Sequence, residues 1–211
     1  MDFIKPRFRD TVLVKQAWED SGPQDCSNLL WAFATAVWKD DRILQKVCRR
    51  AGAIVADFEP QALANSAWAL AVLSQRDVPL LQVFAQAMHG KMIRFTPQAL
   101  ANTAWSWATM EAKDKRLFDA IALHAVARMP QFTPRDQAHL IWAFATMQMR
   151  YRTLNDAVCR AALHCSSKYG AQEIGSLVWC FAILRVIDIE VLRALSKQIP
   201  STVDNMGTRE L

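Results

Sequence analysis

PQALANTAWSWATM, residues 97–110, decides the fold, because the same phrase returns at a fixed distance along the chain. Its first tryptophan, Trp105, belongs to a row of five: Trp31, Trp68, Trp105, Trp142 and Trp179 stand 37 residues apart without slippage. Each lies in a short apolar phrase, LLWAFAT, SAWALAV, TAWSWAT, LIWAFAT or LVWCFAI. Self-similarity at a period of 20–50 residues marks an architecture of stacked repeats. The repeat therefore sets the fold, and function has to come from what the repeats display.

Around Trp105 the local signals are helical. Thr96 is a good N-cap and Pro97 suits the first helical position; Pro23, Pro60 and Pro134 recur there, with Ala171 in the fifth unit. Leu100, Ala101, Ala104, Trp105, Trp107 and Ala108 form a broad apolar face over a helix running to about Met110. Small residues stand four before each tryptophan (Ser27, Ala64, Ala101, Ala138, Gly175), and alanine stands three after it (Ala34, Ala71, Ala108, Ala145, Ala182). Such positions let a neighbouring helix approach closely. On this reading the five indoles fill the adjoining core, and Trp38 and Trp107, outside the row, are the more exposed.

A second helix follows in each unit. Asp40, Asp77, Asp114 and Asp188 share one position and read as its N-cap, with Tyr151 breaking the series. An aromatic residue (Phe58, Phe95, Phe132, Tyr169) precedes the next helix entry and is placed to staple it. The chain therefore reads as all-α, an α-solenoid of five 37-residue helical hairpins at about 22–58, 59–95, 96–132, 133–169 and 170–204. An N-terminal helix or half repeat, Phe8 to about Asp20, occupies 1–21, and 205–211 is a tail. Neither end shows an obvious polar capping repeat, which predicts a partial array.

Composition narrows the function classes. Hydrophobic residues make up 52% of the chain, enough for a core and too many for a disordered repeat region. The longest apolar runs fall short of a membrane span. A net charge of +5 favours an anionic partner modestly. Cys26, Cys48, Cys159, Cys165 and Cys180 form no CxxC pair, and the four histidines show no metal-binding spacing, so no metal site is expected. Six scattered glycines build no phosphate cradle, and no catalytic constellation recurs; no cofactor, small-molecule substrate or enzymatic activity is expected. The opening residues have no apolar h-region and carry Asp2, Asp10, Glu19 and Asp20, so no targeting peptide is expected among them.

PQALANTAWSWATM and its near copies PQALANSAWALAVL and PRDQAHLIWAFATM resemble the heptatricopeptide and octotricopeptide repeats of organellar RNA-binding proteins. These are the repeats of the FAST-kinase-like and RAP-domain families, and the resemblance covers about residues 22–204. It implies a superhelix that binds single-stranded mRNA or rRNA in the mitochondrial matrix or chloroplast stroma, alone or with other proteins of a ribonucleoprotein complex. Processing, stability, ribosomal RNA assembly and translation of organellar RNA are the implied roles. No C-terminal RAP domain is seen, so no activity of that domain is carried over.

Repeat proteins that read single strands use a few side chains of one helix per base. Two polar columns fit. Asn28, Asn65, Asn102, His139 and Ser176 stand three before the tryptophan, and Gln24, Gln61, Gln98, Arg135 and Gln172 seven before it. Both fall on one helical face, which Thr35, Thr109 and Thr146 continue. An asparagine ladder can equally satisfy backbone groups between units, and a first-turn glutamine can simply be solvated. A third column, Lys39, Arg76, Lys113 and Arg150, lies eight after the tryptophan and could track phosphates or merely complement helix C-termini. Two functions follow: an RNA-binding solenoid gripping about one nucleotide per unit, or a protein-interaction scaffold of the same architecture. Under the first, Trp105→Ala costs about 3–5 kcal/mol as a core truncation, and Lys113→Ala weakens RNA binding at unchanged stability.

Overall fold

The computed structural model describes residues 21–199. The expected N-terminal helix and the tail lie outside them. Among the described residues there are ten α-helices and no strand. The helices carrying the tryptophan phrases are α1 (Pro23–Thr35), α3 (Pro60–Val72), α5 (Pro97–Thr109), α7 (Pro134–Thr146) and α9 (Ala171–Leu184). Between and after them run α2 (Asp41–Ala53), α4 (Val78–Lys91), α6 (Lys115–Arg128), α8 (Arg152–His164) and α10 (Ile189–Ser196). Odd-numbered helices pack side by side in chain order, and so do the even-numbered ones, giving two layers with the core between them. No helix among the described residues is long and apolar enough to cross a membrane.

Each odd helix starts as its sequence requires. Proline at the first helical position of α1, α3, α5 and α7 loses no hydrogen bond, because that N–H has no partner inside the helix. Thr96 Oγ1 accepts from the Ala99 N–H at 3.1 Å. Thr133 and Asp136 form a reciprocal capping box: Thr133 Oγ1 accepts the Asp136 N–H at 3.2 Å, and Asp136 accepts the Thr133 N–H at 3.1 Å. Gly22 and Gly170 have no side chain to offer, and there the acid three residues on, Asp25 or Glu173, accepts the cap N–H.

The odd helices all end alike. The residue six after the tryptophan is left-handed in every case: Val37, Ser74, Glu111, Gln148 and Arg185, with φ between 49 and 56°. The next N–H bonds back to the carbonyl two after the tryptophan, as Trp38 to Phe33 at 3.0 Å and Ala112 to Trp107 at 2.9 Å. This is a Schellman termination, with the hydrophobic contact that accompanies it: Trp38 lies edge-on to Phe33 at 5.0 Å. Asp40, Asp77, Asp114 and Asp188 then accept N–H groups at the starts of α2, α4, α6 and α10. Tyr151 caps nothing; its hydroxyl donates to Asp119 on the neighbouring even helix instead.

Two cations tie neighbouring turns together. Lys91 Nζ donates to the Phe58 carbonyl at 2.6 Å, and 37 residues on Arg128 Nη1 donates to the Phe95 carbonyl at 2.5 Å. The equivalent residue in the next unit is Cys165, which cannot do this. There the buried Gln137 amide donates to the Phe132 carbonyl at 3.0 Å and is itself held by the Tyr169 hydroxyl. Phe58, Phe95, Phe132 and Tyr169 are all buried, as a staple position demands.

The repeated tryptophans are not fully buried, contrary to the expectation from sequence, although Trp68, Trp105 and Trp142 pack against the core from its edge. Trp31 and Trp179 are 50% and 46% exposed, and Trp68, Trp105 and Trp142 are partly exposed. Trp107 is buried to 1%, and Trp38 packs against the core. Helical geometry explains the reversal. At about 100° per residue, positions two after and five before the tryptophan point away from it and into the space between layers. Phe33, Leu70, Trp107, Phe144 and Phe181 fill the first of those positions, and all are buried.

Candidate nucleic-acid interface

The odd helices turn one face to solvent, and the tryptophans stand at its border. Relative to the indole, residues seven before, three before and four after lie within about 60° to one side. Residues four before and three after lie within about 60° to the other. The second set is the small-residue pair of rows, buried in α1, α3, α5 and α7 and exposed in α9, which no odd helix follows among the described residues. Those rows therefore face the next odd helix; Ser27 Oγ, for instance, donates to the Ala62 carbonyl of α3 at 3.2 Å. The first set is the polar face. Each indole thus stands at the seam between two odd helices, with its outer edge beside the polar rows.

Gln24, Gln61, Gln98, Arg135 and Gln172 are exposed, as is Asn28; Asn65, Asn102, His139 and Ser176 are half-buried. The glutamines and asparagines are linked along the helix: Gln24 Nε2 donates to Asn28 Oδ1 at 2.8 Å, and Gln61 Nε2 to Asn65 Oδ1 at 3.0 Å. These bonds run between side chains, and the backbone of the neighbouring unit takes no part in them. The outward groups left over are the glutamine carbonyl oxygen and the asparagine NH2, an acceptor and a donor. In α5 the Asn102 backbone carbonyl accepts from the Ser106 hydroxyl at 2.6 Å.

Polar row and indole meet across one seam directly. The His139 ring of α7 lies over the Trp105 indole of α5, centroids 6.2 Å apart and planes 29° from parallel. Burial, followed by the nearby Arg135 charge, pushes the His139 pKa below its ordinary 6.5. Its neutral ring therefore keeps one donor and one acceptor nitrogen at neutral pH. Beside it, between α7 and α9, opens a cleft of about 350 Å³ lined by Arg135, Ala138, His139, Gln172, Glu173 and Ser176. Five of those six are polar, and four belong to the two polar rows.

The cationic column lies at the turns beyond the C-terminal ends of the odd helices. Lys39, Arg76, Lys113 and Arg150 are all exposed. Arg76 is committed to its neighbour: Nη2 donates to the Glu111 carbonyl at 3.2 Å, and Nη1 lies 3.9 Å from the Glu111 carboxylate. Lys39 stands 3.9 Å from Asp41. Lys113 and Arg150 form no ion pair among the described residues, which leaves them the most available for a phosphate.

Cys48, Cys159 and Cys180 are buried, and burial lifts their thiols to about 12, 11 and 12, so they stay protonated at neutral pH. No group of three or more His, Cys, Asp or Glu side chains is gathered as for a metal ion among the described residues. What the odd helices and their C-terminal turns offer chemically is flat π surface, amide donors and acceptors, and exposed cations at the turns. The sequence had signalled the amides and the cations; the exposed indoles were missed, although the 12-residue span from Gln98 to Thr109 already put Trp105 within that face. No protein-family model matches the chain, and no curated protein is similar to it in sequence.

Proposed function

We infer that this chain is a non-enzymatic RNA-binding α-solenoid of five 37-residue helical hairpins, holding single-stranded RNA along the outer face of its odd helices. One observation carries the proposal: the amide rows, the indole row and the cationic column all belong to the odd helices and their C-terminal turns, repeated unit by unit. Amides and hydroxyls bond to the edges of unpaired bases, and a line of cations supplies affinity without sequence information. Alternation of Asn, His and Ser in one row, and of Gln and Arg in the other, is the variation between units that reading a sequence requires. The net charge of +5 is of the right sign. An organellar setting, with mRNA or rRNA as the ligand, rests on the resemblance to heptatricopeptide and octotricopeptide repeats.

The test is a titration of labelled single-stranded RNA at rising salt. Binding at low salt that weakens steadily as salt rises supports the proposal, since displaced counterions make log K fall linearly with log salt. Absence of binding at low salt, or binding indifferent to salt, overturns it in favour of a protein-interaction scaffold.

A further inference from the structure

We propose that the tryptophan row is a base-stacking ladder, in which Trp31, Trp68 and Trp142, each with the polar residue three before the tryptophan of the following helix, form subsites for unpaired nucleobases. This rests on the RNA-binding reading and goes beyond it, by moving the main contact from the amides to the indoles. The first ground is exposure: a side chain as apolar and large as Trp31 is left half open to water, while Trp107 two positions from its own row is fully covered. The second is the Trp105–His139 pair, which shows that these two positions on successive odd helices face each other, and that a planar ring fits over the indole. The same two positions hold Trp31 with Asn65, Trp68 with Asn102, and Trp142 with Ser176. In these the polar partner has no ring, so the indole keeps its face for a base and the amide or hydroxyl is placed for that base's edge.

The third ground is the Gln61–Asn65 hydrogen bond, which engages Asn65 Oδ1 and leaves the NH2 group of that amide as its remaining polar group, a donor. Spacing makes the ladder discrete. Packed helices lie about 8–10 Å apart, whereas stacked bases in one strand rise about 3.4 Å. Consecutive indoles therefore cannot join one continuous stack, and each open indole takes its own splayed base. A duplex, whose bases already cover each other, offers nothing to the ladder, so single strands are selected. Arg135, Lys113 and Arg150, exposed on the same helices and turns, supply the charge that a phosphate backbone needs and an apolar peptide does not.

The experiment uses the full chain with a single-stranded RNA of ten or more nucleotides, the corresponding duplex, and an abasic strand of equal length. The expected results are tight binding of the single strand, weak binding of the other two, and protection of indole fluorescence from acrylamide by the single strand alone. Trp31→Ala lowers single-strand affinity about 5- to 100-fold, as the loss of one stacked base does. Trp31→Phe restores most of it, and neither variant changes the abasic strand or the salt slope. Trp31→Ala and Asn65→Ala are non-additive, because they remove two halves of one subsite. If wild-type protein binds RNA but Trp31→Ala and the abasic strand bind as well as their controls, the ladder is overturned and the RNA reading stands. If the wild-type chain binds no RNA, both fall; a folded Trp31→Phe variant and the quenching on wild-type protein keep the test decisive should Trp31→Ala not fold.

Discussion

Trp105 and Trp107 are two residues apart on α5, and about 200° of helix separates their directions. Trp107 points between the layers and is covered on all sides, while Trp105 stands at the seam under His139. Truncating them should differ accordingly. Trp107→Ala should cost about 3–5 kcal/mol in urea denaturation. Trp31→Ala, at the most exposed indole of the row, should cost well under half of that; equal losses at the two sites would contradict the assignment of faces. Val37 gives the opposite sign. A β-branched residue at φ 49° pays the left-handed penalty of about 1–2 kcal/mol, which exceeds the extra chain entropy of glycine, about 0.5–1 kcal/mol. Val37→Gly should therefore raise stability by up to about 1 kcal/mol, seen as a higher midpoint of thermal unfolding. His139 adds a pH dependence. Its folded pKa is depressed below 6.5, so the unfolded chain takes the proton first. The associated stability is present above about pH 6.5 and is lost as pH falls through the depressed value; His139→Gln should flatten that part of the stability curve, measured from pH 7 down to 5.

At the scale of elements, what holds one hairpin to the next was only partly legible in the chain. The starts of helices were readable, because Pro97, Thr96 and the aspartates at 40, 77, 114 and 188 act through their own local backbone. The face of each helix was less so. Counting apolar residues around Trp105 gives a stripe wide enough to include both the core direction and the seam, and only packing by the neighbouring helix divides the two. Least legible were the cation-to-carbonyl ties, which join residues 33 positions apart and leave no local signature. The fourth unit shows that they matter. Where Cys165 replaces the cation, Gln137 enters a position that is Cys26, Leu63, Leu100 or Ile174 elsewhere, and Tyr169 replaces phenylalanine to hold it. Tyr169→Phe should thus leave the buried Gln137 carbonyl oxygen without its donor and cost about 1–3 kcal/mol. Chemical denaturation of the single variant measures it, and an unchanged midpoint would contradict the role given to the hydroxyl.

At the scale of the whole molecule, the proposed RNA binding would divide affinity and selectivity between different parts of the same unit, and that separation is measurable. The cations sit at turns, where they would meet phosphates rather than base edges, so their contribution should appear in the salt slope. Counterion release gives a slope of about −0.7 per neutralised phosphate for single strands. Lys113 and Arg150, exposed and without ion-pair partners among the described residues, should each account for about one phosphate. The double variant Lys113→Ala, Arg150→Ala should therefore flatten the plot of log K against log salt by about 1.4, with binding weakened evenly across RNA sequences. Arg76→Ala should change the slope less, because that guanidinium is already spent on Glu111, and should instead lower stability slightly through the lost contact between turns. The amide rows should behave in the complementary way: Asn65→Ala and Gln61→Ala leave the slope alone and alter the ranking of RNA sequences. A full set of slopes unchanged by Lys113 and Arg150 would mean that phosphates are met elsewhere, with the exposed cations of α2, Arg42, Lys46 and Arg49, as the next ones to replace.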